Sequence, residues 1–494
     1  MFPSQKKYTL LALCNLLFLA YYLTLGYYNQ PATDDYCVLS AQRYYGFNSP
    51  ISYWYLFWNA RIFPLYLSNI FLTFFQKTNT TIWFTLFLIT GYTFAIFRII
   101  KKLLVNLNIE RKISNGDILH FSLFIFNVFV YNNFKFNTFF WLNASTMYYG
   151  GIMFLLIGIG EIISPIKKAY SYPIILLSMA YAGTSTENHA LVMVLLLIFT
   201  IIIRTFFIDK PNAFTNKKLY FAAAIITIFF LILIAAPGSQ HRIVSDTIPQ
   251  NKVGFVPFIF NLFQNFLSKY ILLLGEISLM YLPFLAITIP VFLVLFNDFF
   301  GERPEKYFPK KTINYCITIG LILLVGAAIA PTIYIFGNIG PQRILTVVNA
   351  LLLAYSLYLV YLTIIYFKPN LKVLNRLTTI ALMLIIIQLG YRFYSEVPTL
   401  KNYSAFEIKN RSIISMTPET EIPIIKNAAT FNTPNLTEQA ATYFLSKYAP
   451  NQLKNWSKIL KHEPILPNII DQSEIKVYEG CYMGGFRRKV EIVP

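Results

Sequence analysis

Two adjacent acidic residues, Asp34 and Asp35, stand in the segment "NQPATDDYCVLS", shortly after an apolar run that ends at Tyr28. Adjacent carboxylates repel each other and must be hydrated or paired, so local stability does not favour them at the edge of a membrane. A carboxylate in this place can accept a proton from a hydroxyl or an amine during a reaction. Asp34 and Asp35 are therefore the candidate catalytic residues.

Further polar motifs occupy the loops between the later apolar runs. They are "WNARIF", "FFWLNASTMYYGG", "GTSTENHAL", "PGSQHRIVSD" and "IGPQRIL". Arginine in such loops can hold an anionic phosphate while negative charge develops on a leaving group. The candidate substrate-binding residues are Asn59, Arg61, Asn143, Glu187, Asn188, His189, His241, Arg242, Gln342 and Arg343.

Most of these residues also have a structural interpretation that needs no ligand. Asn143 and Ser145 have side chains of the kind that cap helices. Arg242 can extend toward lipid headgroups from the end of a span. Glu187 and His189 can form a local hydrogen-bonded pair, and the aromatic residues can form the interfacial belt of a membrane protein.

The elements that must position these residues are membrane spans. Of the 494 residues, 56% are hydrophobic and only 13% are charged, which is too apolar for an ordinary soluble protein. Apolar runs near the length of about 20 residues that crosses a bilayer recur as far as residue 397. We expect an all-α polytopic membrane protein in which the first run is a retained helix rather than a cleaved signal peptide.

Charge and cysteine content exclude other classes of function. The net charge of +19 comes from basic residues spread between apolar runs, which indicates membrane orientation and no nucleic-acid partner. The four cysteines include no CxxC pair, so neither a zinc nor an iron–sulfur site is indicated. Cys37 and Cys481 can form a disulfide if they share a compartment. The absence of a glycine-rich phosphate loop argues against ATP-driven schemes.

The positions of Lys and Arg predict which loops face the cytoplasm. Lys6 and Lys7 place the N-terminus inside and residues 29–58 outside. A full span over 51–76 would reverse every later loop, so we interpret this segment, and also 255–274, as helices on the outer surface. About eleven spans result, and the C-terminus lies outside.

The composition becomes polar and punctuated by proline after residue 397. We therefore divide the chain into a transmembrane domain, 1–397, and a small extracytoplasmic α+β domain, 398–494.

The motifs "DDY", "WNAR", "WLNASTMYY", "STEN" and "PGSQHR" together resemble the GT-C superfamily of integral-membrane glycosyltransferases. Relatives of that kind include protein O-mannosyltransferases and the aminoarabinose transferases of lipid A. The closest resemblance is to a bacterial branch related to O-antigen glucosyltransferases, and it covers about four fifths of the chain. Two departures are Ala60, where such motifs often have Gly, and Ala144 with Met147, where relatives favour Gly and Asn.

The resemblance implies transfer of a sugar, usually with inversion, from a polyprenyl-phosphate donor to a cell-surface glycan, lipid or protein acceptor. It implies Asp34 as general base with Asp35 in support, and Arg61, Arg242 and Arg343 as candidates for the carrier phosphate. It leaves open a divalent cation, Mg²⁺ or Mn²⁺, on Asp34, Asp35 and Glu187. The expected location is a bacterial inner membrane.

Two other functions fit a polytopic chain with polar outer loops. A flippase for lipid-linked glycan should carry polar residues and broken helices at mid-depth, and ionisable residues within the spans are scarce here. A polysaccharide polymerase or ligase that uses diphosphate-linked glycan is favoured by an arginine-rich outer loop, and the outer arginines are few.

The predicted topology can be tested by accessibility labelling in a background that lacks the native cysteines. Cysteines at Ser49 and Ser473 should react with an impermeant thiol reagent added from outside, and a cysteine at Asn106 should be protected. External labelling at Asn106, or protection at Ser49, would contradict the topology.

Overall fold

The computed structural model describes residues 3–31, 35, 38–39, 42, 46–57, 60–106, 113–131, 139–164, 169–207, 213–239, 284–299, 311–336, 342–367, 369–416, 424–426 and 491–493. In the first half of the chain the helices are α1 (Pro3–Tyr28), α2 (Ser49–Phe57), α3 (Ile62–Thr78), α4 (Ile82–Asn106), α5 (Asn115–Tyr131), α6 (Leu142–Ile162), α7 (Ser171–Gly183), α8 (Glu187–Phe207) and α9 (Ala213–Ala235). The later helices are α10 (Phe284–Phe299), α11 (Lys311–Phe336), α12 (Leu345–Phe367), which follows a 3-10 turn at Gln342–Ile344, and α13 (Leu371–Met416).

Eight of these helices are long and apolar enough to cross a bilayer: α1, α4, α6, α8, α9, α11, α12 and α13. This confirms the predicted helical membrane protein. Two shorter apolar helices, α7 and α10, have 17 residues or fewer. The predicted number of about eleven spans stays a prediction.

The segment that we interpreted as surface helices, 51–76, forms two separate helices. α2 has 9 residues and α3 has 17. Arg61 lies at the break between them, and Pro64 stands in the first turn of α3, where a missing backbone N–H is tolerated. Their position at the outer surface stays a prediction, and the second segment, 255–274, lies outside the described residues.

Contacts between helix termini define two ends of the bundle. At one end, called here the Asn29 end, the Asn29 amide donates to Thr81 Oγ1 at 3.1 Å and to the Phe140 carbonyl at 2.6 Å. The exit of α1 thereby meets the starts of α4 and α6. At the opposite end, Lys101 Nζ donates to Asn115 Oδ1 at 3.2 Å, where α4 ends and α5 begins.

A buried charge network closes that opposite end. The Glu161 carboxylate forms an ion pair with Arg98 and accepts a hydrogen bond from Ser171 Oγ at 2.9 Å. Lys218 Nζ donates to the carbonyls of Glu161 and Ser164 at 3.0 and 3.3 Å. Glu161 and Lys218 are buried, so these contacts replace lost hydration and join α4, α6, α7 and α9.

The longest helix, α13, has 46 residues, or about 70 Å at 1.5 Å per residue, and so extends well beyond a bilayer core. It is attached to α1 twice: Tyr21 donates to the Glu396 carboxylate, and Gln30 Nε2 donates to Ser404 Oγ at 2.9 Å. The predicted domain boundary after residue 397 falls inside this helix. Beyond it, Ile424–Lys426 pairs in parallel with Glu491–Val493, and the C-terminal domain stays a prediction.

The ion pair at the network end predicts a large effect on stability. Arg98→Ala leaves the buried Glu161 charge without its cation, which should lower the free energy of unfolding by about 3 kcal/mol. Thermal unfolding of the detergent-purified chain measures this loss. Lys101→Ala, on the same helix, removes an exposed hydrogen bond to Asn115 and a cation–π contact with Phe97 at 6.0 Å, and it should cost less than about 1 kcal/mol.

A double variant separates charge from packing in this experiment. Arg98→Ala combined with Glu161→Gln removes both charges and should recover part of the lost stability. Equal losses of unfolding free energy in Arg98→Ala and Lys101→Ala would show that the Arg98–Glu161 ion pair stabilises the fold no more than the exposed contacts of Lys101 do.

Candidate functional site

The first two turns of α6, with the residue before them, form the centre of the candidate site. This segment, residues 141–148, is called here the α6 start, and no residue in it is more than 9% exposed. Trp141 is the N-cap, and its side chain makes no capping hydrogen bond. The first N–H groups of a helix have no partner within the helix, so a buried helix start must obtain partners from elsewhere in the protein.

Asp35 provides one such partner. Its carboxylate Oδ1 accepts a hydrogen bond from the Asn143 backbone N–H at 2.9 Å, and the residue is fully buried. An N-cap side chain makes the same kind of bond, and a negative charge is favourable at the N-terminus of a helix. The acidic segment after α1 is therefore attached to α6 across 108 positions of sequence.

An ion pair lies beside the α6 start. Arg61 Nη2 is 2.9 Å from Glu187 Oε2, and Arg61 Nη1 is 3.2 Å from Met147 Sδ. The side chains of Arg61 and Glu187 are 13% and 33% exposed, so the pair is accessible in part. Glu187 is the first residue of α8, where the helix dipole favours a negative charge.

Small residues allow the helices that carry this pair to approach each other. Ala60 precedes Arg61 and is fully buried in a cluster with Ala190, Leu233 and Ala236. A similar approach occurs between α6 and the turn before α8, because a Cβ placed on Gly151 would lie 2.7 Å from Ser185 Cβ. Gly151 is thus needed for space at this crossing.

The polar residues that follow Glu187 face different neighbours. Asn188 Nδ2 donates to the Ala328 carbonyl of α11 at 2.9 Å. The His189 ring is buried, and its Nδ1 lies 3.0 Å from Thr186 Oγ1. The ring also contacts the Tyr148 ring edge-on, with 4.9 Å between the ring centroids. His189 therefore borders the α6 start, whereas Asn188 is bound to α11.

Arg343 reaches the same segment from the turn before α12. Its guanidinium carbon lies 5.2 Å from the centroid of the Trp141 ring. Guanidinium groups stack on aromatic faces in this way and keep their N–H edges available for hydrogen bonds.

The α6 start thus brings together six of the residues predicted from the sequence. Asn143 lies in it, and Asp35, Arg61, His189 and Arg343 contact it, with Glu187 paired to Arg61. Trp141, Met147 and Tyr148 make these contacts and were not predicted, although the aromatic motif around them was noted. Gln342 begins the 3-10 turn, while Asp34, Asn59, His241 and Arg242 lie outside the described residues.

The proposed metal ligands do not form a metal site in the described part of the chain. Asp35 is bonded to the Asn143 N–H and Glu187 is paired with Arg61, while Asp34 lies outside the described residues. Among the residues that the structure describes, no three His, Cys, Asp or Glu side chains come together as ligands.

The contact between Asp35 and α6 predicts a difference between two substitutions. Asp35→Ala leaves the buried Asn143 N–H without this partner and should lower the free energy of unfolding by about 1–3 kcal/mol. Asp35→Asn keeps an acceptor oxygen and should lower it less. Thermal unfolding of both purified variants measures the difference, and an unchanged melting temperature in Asp35→Ala would contradict the capping role.

Comparison of the chain with protein-family models, with curated proteins and with solved structures found no match.

Proposed function

We propose that this chain is a membrane glycosyltransferase that transfers a sugar from a polyprenyl-phosphate-linked donor to an extracytoplasmic acceptor, with Asp34 as general base. One observation supports the proposal above the others: Asp35, Arg61 and Arg343, from three distant segments, all meet the α6 start. Helix capping accounts for Asp35 at this terminus, but neither capping nor packing requires two arginines there as well. A reaction that needs both a base and cations gives a reason for it.

The proposed step requires one proton acceptor and one leaving group. The base takes the proton of the acceptor hydroxyl, whose oxygen forms a bond to the anomeric carbon of the sugar. The bond from that carbon to the phosphate oxygen breaks, and the phosphate keeps the electron pair. Attack from the side opposite the phosphate inverts the configuration at the anomeric carbon.

Asp34 and Asp35 have separate roles in this scheme. Asp35 is buried and bonded to the Asn143 N–H, a contact that fits the supporting role of an anchor. Asp34 is the adjacent residue, and we assign the proton transfer to it. A base next in sequence to an anchored residue has less freedom to move relative to a bound sugar.

The face of α6 that carries Asn143 and Met147 suits the sugar. The two residues are four apart and share one side of the helix. Asn143 Oδ1 accepts no hydrogen bond from any residue that the structure describes, and Glu187 adds a partly exposed carboxylate nearby through its pair with Arg61. Sugar hydroxyls are donors that acceptors of this kind can bind.

Replacing the proposed base should abolish transfer without affecting the fold. General-base catalysis is worth roughly 10²- to 10⁴-fold, so Asp34→Asn should lose at least about 10²-fold in turnover. Transfer is measured with the purified chain, polyprenyl-phosphate-linked sugars and cell-envelope acceptors. Membrane accumulation and melting temperature should match the wild type.

Asp35→Asn is the matched control, since its amide oxygen can still accept the Asn143 N–H, and it should lose less activity than Asp34→Asn. Full transfer by Asp34→Asn would disprove the catalytic assignment. Failure of that variant to accumulate in the membrane would show that Asp34 and Asp35 have a structural role. Equal losses in both variants, with inhibition by a chelator, would assign the acids to a metal.

A further inference from the structure

The chain between the end of α1 and Asp35 is attached to the region of α6 at two points. At one point the Asp35 carboxylate accepts the Asn143 backbone N–H at 2.9 Å. At the other, Asn29 Nδ2 donates to the Phe140 carbonyl at 2.6 Å. Asn29 and Asp35 are six residues apart, and their partners are three residues apart. One short stretch of chain therefore holds both ends of the segment 29–35, called here the acidic segment.

The hydrogen bonds of Thr81 fix the orientation of the Asn29 amide. Thr81 Oγ1 donates its single hydrogen to the Gly26 carbonyl at 3.0 Å, so it can only accept from Asn29 Nδ2, which lies 3.1 Å away. The Phe140 carbonyl is also an acceptor, so both N–H bonds of the Asn29 amide are used. An amide turned by 180° would place an oxygen against these two acceptors.

Close packing of α1 against α4 brings Asn29 to this position. Gly26 lies about one turn before Asn29, and a Cβ placed on it would overlap the Thr85 hydroxyl of α4. The absence of a side chain at Gly26 therefore lets the two helices approach each other. Asn29 and Thr81 are 2% and 3% exposed, so water does not compete for the hydrogen bond between them.

Two attachments restrict the acidic segment more than one does. A segment held only at Asp35 can still turn about that hydrogen bond, whereas a second attachment at Asn29 also fixes its direction. Consecutive Cα atoms are about 3.8 Å apart, so the position of Asp34 is restricted together with that of Asp35. Misplacement of a catalytic group by about 1 Å can lower a rate roughly 10²-fold. The second attachment therefore matters to a base at Asp34.

We propose that Asn29 is a positioning residue, which holds the acidic segment against α6 so that Asp34 reaches the acceptor hydroxyl. The catalytic part of this inference rests on the proposed function, whereas the attachment itself rests on the hydrogen bonds of Asn29 and Asp35. Asn29 touches no reacting atom in this scheme and acts only through the position of the acidic segment.

Asn29→Ala removes both amide hydrogen bonds and tests this role. Amide hydrogen exchange in residues 30–40, measured by mass spectrometry on the purified full chain, should become roughly 10-fold faster or more. In the assay with polyprenyl-phosphate-linked sugars, kcat per folded protein should fall about 10- to 10²-fold. The KM should change less than about 2-fold, because the base assists only the transition state.

Asn15→Ala is the matched control on the same helix. Asn15 is 1% exposed and also makes two amide hydrogen bonds: its Nδ2 donates to the His120 carbonyl and its Oδ1 accepts from Asn127 Nδ2, both at 2.9 Å. Asn15→Ala and Asn29→Ala should therefore lose similar amounts of unfolding free energy. In Asn15→Ala, however, kcat per folded protein and the exchange of residues 30–40 should stay within about 2-fold of the wild type.

Thr81→Val is a milder variant that keeps the proposal testable where Asn29→Ala fails to accumulate in the membrane. It nearly preserves the size of the side chain, removes the oxygen that accepts from Asn29, and leaves the hydrogen bond from Asn29 to Phe140. It should change the exchange rate and kcat in the same directions as Asn29→Ala does, by about 2- to 5-fold.

Two results would overturn the proposal. One is exchange in residues 30–40 at the wild-type rate in both Asn29→Ala and Thr81→Val. The other is a loss of kcat in Asn29→Ala no larger than in Asn15→Ala, which would make Asn29 a structural residue only. The proposed function fails separately: if exchange rises as expected but the wild-type chain transfers no sugar from any polyprenyl-phosphate donor, the attachment stands and the glycosyltransferase assignment is wrong.

Discussion

The buried start of α6 is the constraint around which the Asn29 end of the bundle is organised. A helix that begins inside an apolar bundle exposes N–H groups that water cannot reach, and each unsatisfied group costs free energy. The Asp35 carboxylate meets this need at the Asn143 N–H. The hydrogen bond that satisfies this N–H also holds the acidic segment after α1 at the α6 start. The break between α2 and α3, the start of α8 and the turn before α12 meet at the same place.

Charge is used differently at the two ends of the bundle. Glu161 is 1% exposed, and its carboxylate contacts Arg98 and Ser171 while its carbonyl accepts a hydrogen bond from Lys218, so several contacts offset the free-energy cost of its burial. The pair of Arg61 with Glu187 is open to solvent in part, with side chains 13% and 33% exposed. This pair is therefore more accessible to a ligand than the buried Glu161 carboxylate.

The sequence predicted a helical membrane protein correctly because hydrophobic length is a local property of the chain. The polar loop motifs were also found from the sequence, and six of the predicted residues meet at the α6 start. Their partners could not be predicted, because Asp35 and Asn143 are 108 residues apart and Arg61 and Glu187 are 126 apart. No local periodicity encodes those contacts. Ser145 shows the same limit: its type suggested a helix cap, and the fold instead places its hydroxyl in the second turn of α6, where no described residue is its hydrogen-bond partner.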